Sequence, residues 1–72
     1  MMILNQLKPG ELGRITNIQG GRGFRQKLAL KGITEGRVIR VISSHGPTTI
    51  EIDRNTISLG RGMARKIKVI RI

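Results

Sequence analysis

Cysteine, tryptophan and tyrosine are absent from this 72-residue chain, and phenylalanine occurs once. Without cysteine, no disulfide and no thiolate metal site can reinforce the fold. With Phe24 as the single aromatic, a single-stranded nucleic acid has almost nothing to stack on. Acids are also scarce: four, against fourteen Lys and Arg, with one histidine. Transition-metal sites without thiolates combine imidazole with carboxylates. His45, Glu11, Glu35, Glu51 and Asp53 are scattered, with no two at a recognisable ligand spacing, and Met63 suits the role of a gap filler. No metal ligands and no cofactor are therefore expected. A nucleophile–base pair would have to join His45 to Ser43 or Ser44, and nothing orients such a pair. No catalytic residues, and no enzyme, are expected. No apolar run approaches the roughly 20 residues of a membrane span. Met1 to Gln6 lacks a basic segment followed by a long apolar one, so it does not read as a signal peptide. The expected location is the cytoplasm.

What the chain does have is positive charge, +10 overall. A surface of that sign attracts nucleic acid phosphates, anionic lipid headgroups or an acidic protein face. The basic residues are spread along the chain and do not form a tail, which places them on a folded surface. Seventy-two residues make one domain with a small core, because a chain of this size buries only about 60% of its unfolded surface. Ile, Leu and Val must supply that core. Wrapping short strands into a barrel is an efficient way to do it, since closure also removes exposed strand edges.

Glycine and proline punctuate the order of elements. Leu4 and Leu7 form a lead-in expected to cover one end of the barrel, and Pro9-Gly10 is a turn. Gly13 to Ile18 is the first strand, rich in β-branched residues. After Gly20-Gly21 comes one helix. Phe24 and Leu28, four apart, share a face, and Leu30 and Ile33 are expected to close the same patch. Lys31 suits the negative end of the helix dipole, and Gly32 suits the left-handed position that ends a helix. Arg37 to Ser43 is the second strand. Its apolar residues on both faces predict cover by the helix on one side. Thr48 to Asp53 alternates with Ile50 and Ile52 inward. A turn at Arg54-Asn55 leads to Thr56–Leu59, with Ile57 and Leu59 inward. Residues 60–65 are a tight connection, and Lys66 to Ile72 is the last strand, where Ile70 and Ile72 predict a bulge or a change of face. The result is a mainly β SH3-like barrel of about five strands, with one short helix between strands 1 and 2. An OB-fold places its helix between the third and fourth strands, where this chain has only a turn.

The binding candidates follow from charge and position. Arg22, Arg25, Lys27 and Lys31 take the outer positions of the helix, and Arg61 and Arg65 flank the last connection. Gly20-Gly21-Arg22-Gly23 before a helix could cradle a phosphate on backbone N–H groups. It lacks the Lys-[Ser/Thr] ending of a P-loop, and a flexible turn is the simpler reading.

Taken in order, Leu7-Lys8-Pro9-Gly10-Glu11, Gly13-Arg14-Ile15, Gly20-Gly21, Leu28, Gly32-Ile33, Gly36 and Ile57-Ser58-Leu59-Gly60-Arg61, with Ala64, Ile67 and Val69, resemble the FeoA family of ferrous iron transport accessory proteins. The resemblance spans nearly the whole chain. It departs from the family at Glu35, where a proline often stands, and in a helix carrying Arg, Gln and Lys where acids are common. It implies an SH3-like barrel similar to the C-terminal domain of iron-dependent metalloregulators. It also implies a cytosolic accessory protein that binds the GTP-binding cytosolic domain of a FeoB-type membrane permease, at the inner face of the membrane. Homo-oligomerisation is left open. The alternative, suggested by charge alone, is a basic SH3-like module that binds nucleic acid. With one aromatic, no specific nucleic acid is expected.

Overall fold

The computed structural model describes residues 2–72. The lead-in forms a two-residue strand β1 (Met2–Ile3) and a 3₁₀ turn (Leu4–Gln6), closed by the Gln6 amide oxygen accepting from the Ile3 N–H at 2.9 Å. Leu4 and Leu7 are fully buried, so the lead-in covers one end of the core as expected. Four long strands and one last strand follow: β2 (Leu12–Ile18), β3 (Val38–Ser43), β4 (Thr48–Ile52), β5 (Asn55–Leu59) and β6 (Ile67–Arg71). Helix α1 (Arg22–Leu30) lies between β2 and β3, the first two long strands, and a one-turn helix α2 (Arg61–Ala64) precedes β6.

All the strands pair antiparallel in one curved sheet of order β1-β6-β2-β3-β4-β5. The sheet is barrel-like but not closed. It has two edges, β1 and β5, and the short β1 raises the strand count to six. The inward residues alternate along each strand, as pleating requires. Ile15, Ile39, Ile50, Leu59, Ile67 and Val69 meet in one aliphatic core.

Helix α1 ends as its sequence specifies. Gly32 has φ +85°, its N–H bonds the Ala29 carbonyl at 2.9 Å, and the Ile33 N–H bonds the Leu28 carbonyl at 2.9 Å. This pair of bonds is the Schellman arrangement, and the accompanying apolar contact joins Leu28 and Ile33, both fully buried. At the other end Gly20, at φ +136°, lets the Phe24 ring lie close. A Cβ there would come within 2.7 Å of Phe24 Cδ2.

Five local expectations are corrected. Leu30 does not close the apolar patch. It is 89% exposed, because two residues beyond Leu28 is about 200° around the helix. Phe24, expected on the core-facing side with Leu28, packs against the core but is only half-buried, with the Lys66 ammonium 4.9 Å above its ring. The hairpin turn is Asp53-Arg54, with φ 49° and 69°, and Asn55 belongs to β5. That is the two-residue turn whose twist matches the flanking strands, so the acid and the arginine both take the left-handed region. The helix does not cover the outer face of β3: Val38 and Ile42 there are 42% and 46% exposed. Finally, β6 neither bulges nor changes face. The register slip is in β2, between Ile15 and Asn17, and Ile70 keeps the outward side it shares with Lys68.

Candidate partner-binding surface

All four acids of the chain are held by arginines. Glu11 pairs with Arg71 at 3.1 Å, Glu35 with Arg25 at 3.0 Å, Glu51 with Arg40 at 2.5 Å, and Asp53 with Arg37. Of the fourteen Lys and Arg, ten thus have no carboxylate partner among the described residues. The acids cancel four of the fourteen positive charges, and each ties two segments of the chain together. Glu11 ties the lead-in to β6 and accepts the Lys8 N–H at 2.7 Å. That N–H, with help from Arg71, holds the Glu11 carboxyl below its ordinary range.

The six candidates are not equivalent. Arg22 and Arg25 line a groove of about 570 Å³ between α1, the end of β2 and the loop leading to β3, with Ile33, Thr34 and Glu35 as its far wall. Arg25 is not free within it. Its guanidinium donates both to the Ile18 carbonyl and to Glu35 Oε1, and Glu35 Oε2 accepts the Ile18 N–H at 3.3 Å. The Arg25 guanidinium, and then the Ile18 N–H, hold the Glu35 carboxyl below its usual range. Glu35 and Arg25 together form a clasp that fastens the helix to the last residue of β2.

Lys27 and Lys31 lie one helical turn apart on the other flank of α1. Lys31 and Leu30 form one wall of a second groove of about 420 Å³, whose other wall is Ile52, Asn55 and Ile57 at the β4–β5 edge. Neither lysine has an ion-pair partner among the described residues.

Arg61 and Arg65 bracket α2. Arg61 leans on the β3–β4 loop, its Nε donating to the Gly46 carbonyl at 3.4 Å, and Arg65 caps the helix with its side chain exposed. Sequence reasoning passed over Lys66. Through its ammonium on the Phe24 ring it brings the end of α2 against the first turn of α1, joining the two groups of candidates. No local spacing could have revealed it, since Phe24 and Lys66 are distant in sequence. Gly21 at the start of α1 has no side-chain cap, and the first turn carries no acid. No group of three or more His, Cys, Asp or Glu that could hold a metal ion occurs among the described residues. No helix among them is long and apolar enough to cross a membrane.

Comparison with known proteins gives this arrangement its context. A model of the FeoA domain matches residues 2–71. A protein of Methanocaldococcus jannaschii named "Putative Fe(2+) transport protein A" is 38% identical over 63 residues, which is 86% of this chain and 77% of the relative. A crystal structure of an iron uptake regulatory protein, FeoA, superposes with a TM-score of 0.91 at 35% identity, covering 99% of this chain and 96% of the other. The fold alone is shared with a manganese-dependent transcriptional repressor (TM-score 0.87, 24% identity), of which this chain spans 41%. The chain belongs to the FeoA domain family, with the family's SH3-like fold.

Proposed function

We propose that this protein is a cytoplasmic, non-enzymatic accessory component of ferrous iron uptake. It binds the cytosolic GTP-binding domain of a FeoB-type permease and so reaches the inner face of the membrane through its partner. Family membership supports the transport role. The observation that carries the binding role is the charge arrangement: all four acids are held in internal pairs, leaving ten cations without a carboxylate partner among the described residues. A field of one sign steers association with an acidic partner surface and rejects like-charged ones. Arg22, Lys27, Lys31, Arg61 and Arg65 are the side chains that meet such a partner. Arg25 belongs with them by position, but its guanidinium is already engaged.

Titration calorimetry between the protein and the permease's cytosolic domain tests this. Lys27→Glu combined with Lys31→Glu should weaken binding by about tenfold or more. Raising the salt toward 0.5 M should weaken the wild type as well, because the Debye length shrinks well below about 8 Å. The competing role, a nucleic-acid-binding module, predicts something else: a preferred duplex or RNA retained at about 0.15 M salt, and permease binding absent or indifferent to the double reversal. That result would replace the proposal.

A further inference from the structure

The two edges of the sheet differ in a way that the charge distribution makes informative. β1 is two residues long, too short to receive another strand. β5 is five residues long and pairs with β4 in unbroken register, from Ile52↔Asn55 to Thr48↔Leu59. Exposed edges are normally blunted by a charge, a proline or a bulge. In a chain with eighteen charged residues, Asn55-Thr56-Ile57-Ser58-Leu59 carries none, and it has no proline and no bulge.

The hairpin geometry tells which backbone groups are open. With a two-residue turn at Asp53-Arg54, the pairs Ile52/Asn55, Ile50/Ile57 and Thr48/Leu59 each exchange both ladder bonds. Thr56 and Ser58 therefore point their N–H and C=O groups away from β4. Both residues are exposed, and neither makes a backbone bond outside the sheet among the described residues.

Beside this edge runs the groove of about 420 Å³ whose opposite wall carries Leu30 and Lys31. Leu30, 89% exposed, is the most exposed large apolar side chain described. Cations stand at both ends of the edge, Arg54 before β5 and Arg61 after it, with Lys31 across the groove. The two acids nearby, Asp53 and Glu51 opposite Thr56, are paired with Arg37 and Arg40.

We infer that β5 is a docking edge for an extended, acidic segment of a partner protein, which adds as a seventh strand by pairing with Thr56 and Ser58. Alternate side chains of the incoming strand lie against Ile57 and Leu30, and its acids meet Arg54, Arg61 and Lys31. Main-chain bonds supply affinity in this mode, and the alternating side-chain positions supply selectivity. A second copy of the chain fits poorly. Antiparallel pairing of β5 with itself, centred on Ile57, brings Arg54 of each copy to the Gly60-Arg61 end of the other, between two chains of charge +10 each. The inference deepens the proposed function and rests on it only for the identity of the partner.

The test uses ¹⁵N-labelled protein, amide exchange and two probes. The first is the permease's cytosolic domain. The second is a short synthetic peptide alternating Val and Thr, with Asp at both ends. With the domain bound, exchange at the Thr56 and Ser58 amides should slow by about tenfold or more. Ser58→Pro removes one outward donor and no bond to β4, and it should weaken binding by about tenfold while the melting temperature is nearly kept. Domain binding that leaves both amides unprotected overturns the docking edge and spares the permease role. Protection by the peptide alone, with no binding of the domain, keeps the edge and removes the permease as its partner. No binding of the domain and no protection by either probe overturns both. Protection in the protein alone, together with a dimer in sedimentation, assigns the edge to a second copy and overturns the inference.

Discussion

The two flanks of helix α1 carry the same kind of residue and have different fates. On one flank Arg25 is clasped by Glu35 and the Ile18 carbonyl. On the other Lys27 is exposed with no ion-pair partner among the described residues, and Leu30 and Lys31 stand beside the open edge of β5. Sequence position makes Arg25, Lys27 and Lys31 outward residues, and charge makes Arg25 and Lys27 equal. The difference is a single carboxylate ten residues further on. A basic residue therefore becomes a binding candidate only when the fold leaves it without an acid. In a chain with four acids, that test sorts the cations quickly. The clasped flank is expected to act on stability and, on the proposed function, the free flank on recognition.

The comparison breaks most completely if the helix itself is lost. Leu28 is the one fully buried residue of α1, and both flanks hang from it. Leu28→Ala should cost about 3 kcal/mol, from lost burial and the cavity left behind. For a small domain with only about 5–15 kcal/mol in hand, that is a large fraction of the total. Chemical denaturation should show the loss as a lower midpoint with an unchanged slope. A midpoint near that of the wild type would mean that α1 is a passive appendage and that its flanks have no fixed geometry.

Much of this arrangement was legible in the sequence, and the exceptions share a cause. The succession of the five longer strands along the chain, the helix between the first two of them and the glycine stop at Gly32 are local signals, carried by β-branched runs and by residues that tolerate positive φ. The unclosed edge at β5 was not legible, because closure depends on how β1 and β5 approach one another in space. Nor was the clasp. Arg25 and Glu35 share no helical or strand spacing, and they meet only because the Gly32 stop turns the chain back toward β2. Leu30 was misplaced for a different reason: an apolar residue near a helix end was assigned to the core, although its angle around the helix puts it outside. The turn at Asp53-Arg54 slipped by one residue because Asn55 is the more usual left-handed residue, and the register with β4 outweighs that preference. The candidate surface was proposed from charge, while the pairing that sets Arg25 apart from the other cations is visible only in the fold.

Charge reversals sharpen the comparison at smaller energies. Arg25→Glu places two carboxylates together and strips a donor from the Ile18 carbonyl, so its melting temperature should fall by several degrees. Lys27→Glu breaks no pair among the described residues and should leave the melting temperature close to the wild type. Its effect should appear only in binding to the permease's cytosolic domain. Thermal melts of both variants at low salt, set beside their binding curves, check this. Equal melting temperatures would dissolve the distinction between the flanks.

The smallest expected effect is on acid stability, and it also belongs to the clasped flank. The Glu35 carboxyl is held below its ordinary value of 4.5 by Arg25 and the Ile18 N–H, and Glu11 is held low in the same sense by the Lys8 N–H and Arg71. A group whose pKa is lowered by folding binds fewer protons in the native state than in the unfolded one. Its contribution is therefore complete above the unfolded value and disappears as the pH falls through the folded value. Stability should decline on going from about pH 5 toward pH 3, the region where carboxylates titrate. Both groups are partly exposed, so solvent screens the effect and the slope should be shallow. Glu35→Gln removes one of the two groups and should flatten that limb without abolishing it, since Glu11 still titrates. Lys27→Gln, on the free flank where no acid pairs with the lysine, should leave the limb as it is in the wild type. Melting temperatures across this pH range decide the matter. A limb identical in the wild type and in Glu35→Gln would show that the clasp contributes nothing to folding, and Arg25 would then rejoin Lys27 and Lys31 as a residue free to meet the partner.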